Sequence, residues 1–182
     1  MAKKHEFIEK IKNYHCPRYN ELPPFALYTD QLKELLELYL SEFEMPGEEK
    51  FITPTMISNY VKQKIIPPPV KKKYDRDHIV YLIVIGIFKQ VLNISDIGAI
   101  IKMQRRFYPA DIAYDYFCEE LEAILKATFC TRDFSTLQKL EGAITLKELV
   151  RSSLLAFANK IYVKKKIYNR TQIISGKDGI NK

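Results

Sequence analysis

Apolar residues recur along most of this chain at three- and four-residue intervals, the spacing that gathers them on one side of a helix. After Thr29, residues Leu32, Leu35, Leu36, Tyr39 and Phe43 keep that register, Glu34, Glu37 and Glu42 lie between them, and Pro46-Gly47 closes the run. This predicts an amphipathic helix with an acidic outer face. A shorter helix starts at Thr53-Pro54, because a threonine oxygen accepts from the free N–H groups of a first turn and proline suits the first helical position. Met56, Ile57, Tyr60, Val61 and Ile65 form its apolar side. Pro67, Pro68 and Pro69 cannot continue it, so it is predicted to end near Lys64 or Ile65, after about eleven residues and roughly 16 Å.

Asp75 is a good cap for a third helix, in which Ile79, Val80, Leu82, Ile83, Val84, Ile85, Ile87, Phe88 and Val91 run round most of the circumference. A helix apolar on all sides must be buried on all sides, and a hydrophobic ligand site along it is the alternative. Gly86 in its interior points to close approach of a neighbouring helix. Ser95 is predicted to cap a short helix with Ile97, Ile100 and Ile101 inward. Arg105 to Pro109 reads as a junction, and Pro109 opens a helix to about Phe129. The pattern is weak from Phe134 to Gly142. Thr145 and Glu148 then form a capping box before a last long helix, where Leu146, Val150, Leu154, Phe157 and Ile161 make an apolar stripe. That stripe either packs on the preceding helix or also pairs two subunits. The tail from Lys164 to Lys182 is basic and expected to fray, and the start of the chain carries a short helix, His5 to Tyr14, followed by the breakers Cys16-Pro17 and Leu22-Pro23-Pro24. The fold class is therefore all-α, divided into an N-terminal arm (1–27), a central unit (28–104) and a C-terminal helical region (105–182).

Charge sharpens this picture at one place. The net charge of +7 over 182 residues suits a polyanionic partner, and Lys50 to Arg76 concentrates it, with seven cations against Asp75 alone. Opposite the apolar side of the second helix lie Thr55, Ser58, Asn59, Lys62, Gln63 and Lys64, a face with amides and hydroxyls for base edges and no carboxylate. Lys71, Lys72, Lys73, Tyr74 and Arg76 follow the prolines, where cations can track phosphates. The pattern predicts a double-stranded DNA interface. The plainer reading is a solvated basic helix and a proline loop.

The string ISNYVKQKIIPPPVKKKYDRDHIVYL resembles the MerR-type winged helix-turn-helix, whose recognition helix reads Ile-Arg-Tyr-Tyr-Glu, then Gly-Leu-Ile-x-Pro, then a basic wing ending in Tyr-Arg-x-Tyr before a long helix. Ile57, Tyr60, Ile65, Ile66 and Pro67 hold the matching places, and Lys72 and Tyr74 match the last Arg and Tyr of the wing. Ser58 and Asn59 stand where that family has Arg and Tyr, so its phosphate contacts from that turn are not carried over. LNISDIGAII from Leu92 is similar to the Gly-Phe-Ser-x-x-Glu-Ile stretch downstream. Roughly from Leu22 to Met103, the chain more closely resembles the DUF1836 family of bacterial MerR-like proteins, a domain of unknown function. The resemblance implies a winged helix-turn-helix that binds DNA, and C-terminal helices that pair two subunits.

Other chemistry is not indicated. Cys16, Cys118 and Cys130 lack CxxC spacing and do not complete a ligand pattern with His5, His15 or His78, so neither metal nor cofactor is expected, and the thiols are expected free in a cytoplasmic protein. The longest apolar run, Ile79 to Phe88, is short of the roughly 20 residues of a membrane span. No phosphate loop, GxSxG or HExxH occurs, which predicts a protein that is not an enzyme. Two function classes remain: a sequence-specific transcriptional regulator acting as a homodimer on a near-palindromic site, and a helical interaction or ligand-sensing module without DNA binding.

Overall fold

The computed structural model describes residues 9–11, 13–135, 137 and 146–178, with side chains to Thr171. Six α-helices organise them: α1 (Thr29–Leu40), α2 (Pro54–Lys62), α3 (Arg76–Phe88), α4 (Ile94–Phe107), α5 (Ala110–Lys126) and α6 (Leu146–Asp178). No strand forms among the described residues; pairing is limited to two isolated bridges, Leu27 with Tyr74 and Val70 with Lys73. No helix among them is long and apolar enough to cross a membrane.

Helix α3 is the centre of the fold, as its all-round apolar sequence demands. Ten of its residues, from His78 to Phe88, are buried, and α1, α4, α5 and α6 all pack on it. Asp75 caps it by accepting from the His78 N–H at 3.2 Å. Gly86 does make a close approach, but to side chains: a Cβ there would stand 3.0 Å from Leu40 Cδ1 and 3.3 Å from Ile52 Cγ1. Helix α1 buries Leu32, Leu36 and Leu40, with Gln31 accepting from the Tyr28 N–H at 3.0 Å at its start.

Several boundaries differ from the sequence expectation, each for a local reason. Helix α2 stops at Lys62 because Lys64 takes a left-handed conformation, φ 58°. The Ile65 and Lys64 N–H groups then donate to Tyr60 O and Val61 O, both at 3.0 Å, which satisfies carbonyls a longer helix would have used. Asn93, not Ser95, caps α4, accepting from the Asp96 N–H at 2.9 Å. That helix runs on to Phe107, so Arg105 and Arg106 form its last turn, where cations oppose the negative end of the dipole. Pro109 precedes α5 rather than opening it, and a π-type turn, Ala127–Thr131, extends α5 past Phe129 to Arg132 in the left-handed region.

Helix α6 corrects two expectations. Leu154, Phe157 and Ile161 are at most 1 % exposed inside the chain's own core, so this part of the stripe is not a subunit contact. Phe157 meets the rings of Phe43 and Phe51 edge-on, at 5.3 and 6.3 Å. Leu146 and Val150 are half-buried against the same core. Nor does the helix fray at Lys164. It continues to Asp178, and its lysines reach back: Lys160 to Gln90 O, Lys164 to Glu48 at 2.7 Å, Lys165 to Glu44 O at 3.2 Å. Thr145, of the expected capping box, lies outside the described residues, as do most of 134–142 and His5 to Ile8.

Two ion pairs tie the ends of the chain to α5. Arg151 grips Glu120 with two nitrogens at 2.6 and 2.5 Å, with side chains only 12 % and 10 % exposed. On the other side Arg18 forks onto Glu122 at 2.8 Å through each nitrogen, and the Cys16 N–H adds a third bond at 2.8 Å. Burial alone would raise the Glu122 carboxyl, but these donors outweigh it and hold the group below its usual 4.5. Cys16, Cys118 and Cys130 are free thiols, the first two fully buried. One hydrophobic core joins residues from Ile11 to Ile161 and so crosses the expected division at 104/105.

Candidate nucleic-acid interface

Thr53 and Pro54 start α2 as their chemistry requires, with Thr53 Oγ1 accepting from the Met56 N–H at 3.3 Å. Ile57 and Tyr60 are buried, and Met56, Val61 and Ile65 pack on the core beside them. Lys89, just after α3, donates to Met56 Sδ at 3.1 Å, and burial lowers the pKa of that ammonium. With one side of the helix so fixed, Thr55, Ser58, Asn59, Lys62, Gln63 and Lys64 are all exposed on the other. Ser58 turns its hydroxyl back to Pro54 O at 3.1 Å, which leaves Asn59 and Gln63 as the amides of this face.

After the prolines the chain makes a tight two-residue turn. Val70 and Lys73 exchange backbone hydrogen bonds of 3.1 and 2.9 Å, with only Lys71 and Lys72 between them. Both central residues have positive φ, 50° and 63°, as a type I′ hairpin turn requires. Asparagine and glycine are the usual occupants, because a β-carbon in this region costs roughly 1–2 kcal/mol. Lysine therefore holds a left-handed position three times around this surface, at Lys64, Lys71 and Lys72, all exposed. Backbone strain of this kind persists where surroundings over-determine it, and it is concentrated at functional sites.

The base of the hairpin is built into the core. Leu27 and Tyr74 exchange two backbone hydrogen bonds of 2.8 Å, and Tyr74 is buried. His78, 3 % exposed, stands edge-on to the Tyr74 ring at 5.4 Å, while its Nε2 lies 3.2 Å from Pro67 O. One imidazole thus connects the chain before the hairpin with the chain after it. Sequence reasoning weighed His78 only as a metal ligand; its place three residues after the cap Asp75 was the available clue.

The predicted site residues do not all converge. Lys71 and Lys72 are at the tip, and Lys73 is half-buried with its ammonium 4.7 Å over the Tyr28 ring. Arg76 instead serves the fold, donating to Leu22 O at 2.9 Å with its guanidinium 5.1 Å from the Tyr19 ring centre. Lys50, counted in the basic cluster, is held by Glu44 at 2.7 Å. In exchange, α4 supplies cations that the sequence reading did not count in the site. A groove of about 450 Å³ between the end of α2 and α4 is lined by Gln63, Lys64, Ser95, Lys102 and Arg105. Gly98 faces Ile65 there, and a Cβ on it would meet Ile65 Cγ1 at 3.7 Å, an ordinary contact, so the approach does not require glycine. Arg105 is steadied by Tyr81, donating from Nε to the hydroxyl at 3.2 Å with the guanidinium over the ring. Lys62, Lys64, Lys71, Lys72 and Lys102 have no ion-pair partner among the described residues.

Such a surface presents cations, amides and a protruding turn, and no group of three metal-ligating side chains gathers among the described residues. No curated protein and no solved structure matches the chain. The family model for the domain of unknown function DUF1836 matches residues 17–117, a little over half of the chain, and the span takes in α1, α2, the hairpin, α3 and α4. The chain belongs to the DUF1836 family.

Proposed function

We propose that this protein is a transcriptional regulator that binds double-stranded DNA through a MerR-like winged helix-turn-helix. In this reading α2 is the recognition helix, α4 completes the basic groove beside it, and the Val70–Lys73 hairpin is the wing. The observation that carries it is the pair Lys71 and Lys72, cations held at the two positive-φ positions of an exposed turn where the backbone favours asparagine or glycine. A turn selected for stability alone has no reason to put charge there. A turn that meets phosphates has one.

A single α2 offers few base contacts, so the functional unit is a homodimer on a near-palindromic site, with recognition helices about one DNA turn, roughly 34 Å, or a multiple of it apart. Since Leu154, Phe157 and Ile161 are buried in the chain itself, pairing falls to another surface; Val163 and Ile167, exposed one turn apart on α6, are candidates.

Binding of the full-length chain to its own upstream DNA, titrated across a salt series, tests this function. We expect nanomolar to micromolar affinity that falls steeply with salt. Asn59→Ala or Gln63→Ala should cost about 1–3 kcal/mol on the preferred site with little change on unrelated DNA. Salt-independent binding, or none at low salt, would overturn the reading in favour of an interaction module.

A further inference from the structure

A second feature lies away from the DNA-facing surface. Helices α3, α4 and α5 and the start of α6 line a half-open cavity of about 170 Å³ with an almost wholly apolar wall. Six aromatic side chains, Tyr81, Phe88, Tyr108, Tyr114, Tyr116 and Phe117, form much of that wall. Its mouth is marked by Tyr108 and Ile112, which are 40 % and 59 % exposed. Packing in this corner is incomplete in hydrogen bonding as well as volume: Gln104 Oε1, on a lining residue, is buried without a partner, and Tyr116 Oη has only the Glu120–Arg151 pair near it. Native cores seldom leave either defect without use.

We propose that this cavity binds a small aromatic carboxylate. Dry apolar cavities of about 150 Å³ accept a benzene ring, so the volume here sets the size of the body at one ring. Aromatic walls favour a flat, polarisable occupant through offset and edge-on ring contacts. Among the described residues Lys147 is the one charged side chain of the lining; it is exposed, has no carboxylate partner among them, and holds its ammonium 5.0 Å from the centre of the Tyr116 ring. A ring in the cavity with its carboxylate turned to the mouth meets that cation, whereas a cationic ligand is repelled. Ile101 lines both this cavity and the groove beside α2, so the ring touches the helix that carries Lys102 and Arg105.

The site does not depend on the DNA-binding reading, and it is tested on the full-length chain without DNA. Calorimetric titrations with benzoate and with toluene, a neutral ring of similar size, should give saturable one-to-one binding of benzoate at millimolar concentration or below, and toluene weaker by about fivefold, the scale of one solvent-screened ion pair. Methyl shifts at Val84 and Ile101 should locate the ring in the cavity. Lys147→Met, a change at an exposed position that leaves the core intact, should lower benzoate affinity about fivefold and leave toluene unchanged. The proposal is overturned if benzoate does not saturate, if it binds no better than toluene, or if Lys147→Met leaves its affinity unaltered.

Discussion

Lys71 and Lys72 sit side by side with φ of 50° and 63°, two lysines occupying both central positions of one turn. The conformation is unfavourable to the residues and, in the proposed function, favourable to the display of their charge.

Replacing them should therefore separate stability from binding. The double variant Lys71→Asn, Lys72→Gly fits the turn better and should raise the unfolding free energy by about 1 kcal/mol, read from denaturant midpoints at constant slope. The same variant should bind DNA less tightly and flatten the plot of log K against log salt by about 0.9 for each phosphate no longer neutralised. A variant that is more stable and binds unchanged would mean that the turn does not meet phosphate.

Arg76 should behave in the opposite way. Its guanidinium is engaged by Leu22 O and the Tyr19 ring, so Arg76→Ala should cost about 1–3 kcal/mol of stability and leave the salt slope of DNA binding where it was. A slope lowered like that of the hairpin lysines would place the side chain on DNA after all.

Between α5 and α6, Arg151→Ala strands the Glu120 carboxylate in a pocket where it is 10 % exposed, and should destabilise by about 3 kcal/mol or more. Glu120→Gln on that background removes the stranded charge and should recover part of the loss. Thermal melts of the wild type, the single variant and the double variant check the order.

Acid should release the N-terminal arm. Because Glu122 is held below 4.5 in the fold, its contribution is fully present above about pH 4.5 and is lost as pH falls through the lower folded value. Glu122→Gln should make the stability curve flatter below pH 4.5 while lowering its level near neutrality. Unfolding midpoints from pH 3 to 7 distinguish this from a curve that merely shifts downward in parallel.

Much of this architecture is visible in the sequence because it is written in local terms. The heptad-like spacing from Leu32 to Phe43, the Thr53-Pro54 start, the proline block and the unbroken apolar run of α3 each act within a few residues, and each element appears where its pattern lies. What the sequence concealed depends on partners far along the chain. Lys164 and Lys165 look like a solvated tail until Glu48 and Glu44 are seen to receive them. Arg105 looks like a linker residue until Tyr81 supports it. The stripe from Leu154 to Ile161 reads equally well as a dimer seam or a core face, because periodicity reports that a face is covered and not by what. The hairpin was concealed for a different reason: turn chemistry is normally announced by glycine or asparagine, and here lysine holds both places.

The Phe157 ring closes over Phe43 and Phe51 from a helix that starts beyond residue 117. The stretch that matches the family should consequently not fold by itself. A fragment cut at Phe117 would leave those two rings facing water and α3 bare along the side that α6 covers, so limited proteolysis should find no stable product ending there. Whatever α2 and the hairpin touch, truncating the far end of the chain should disturb it.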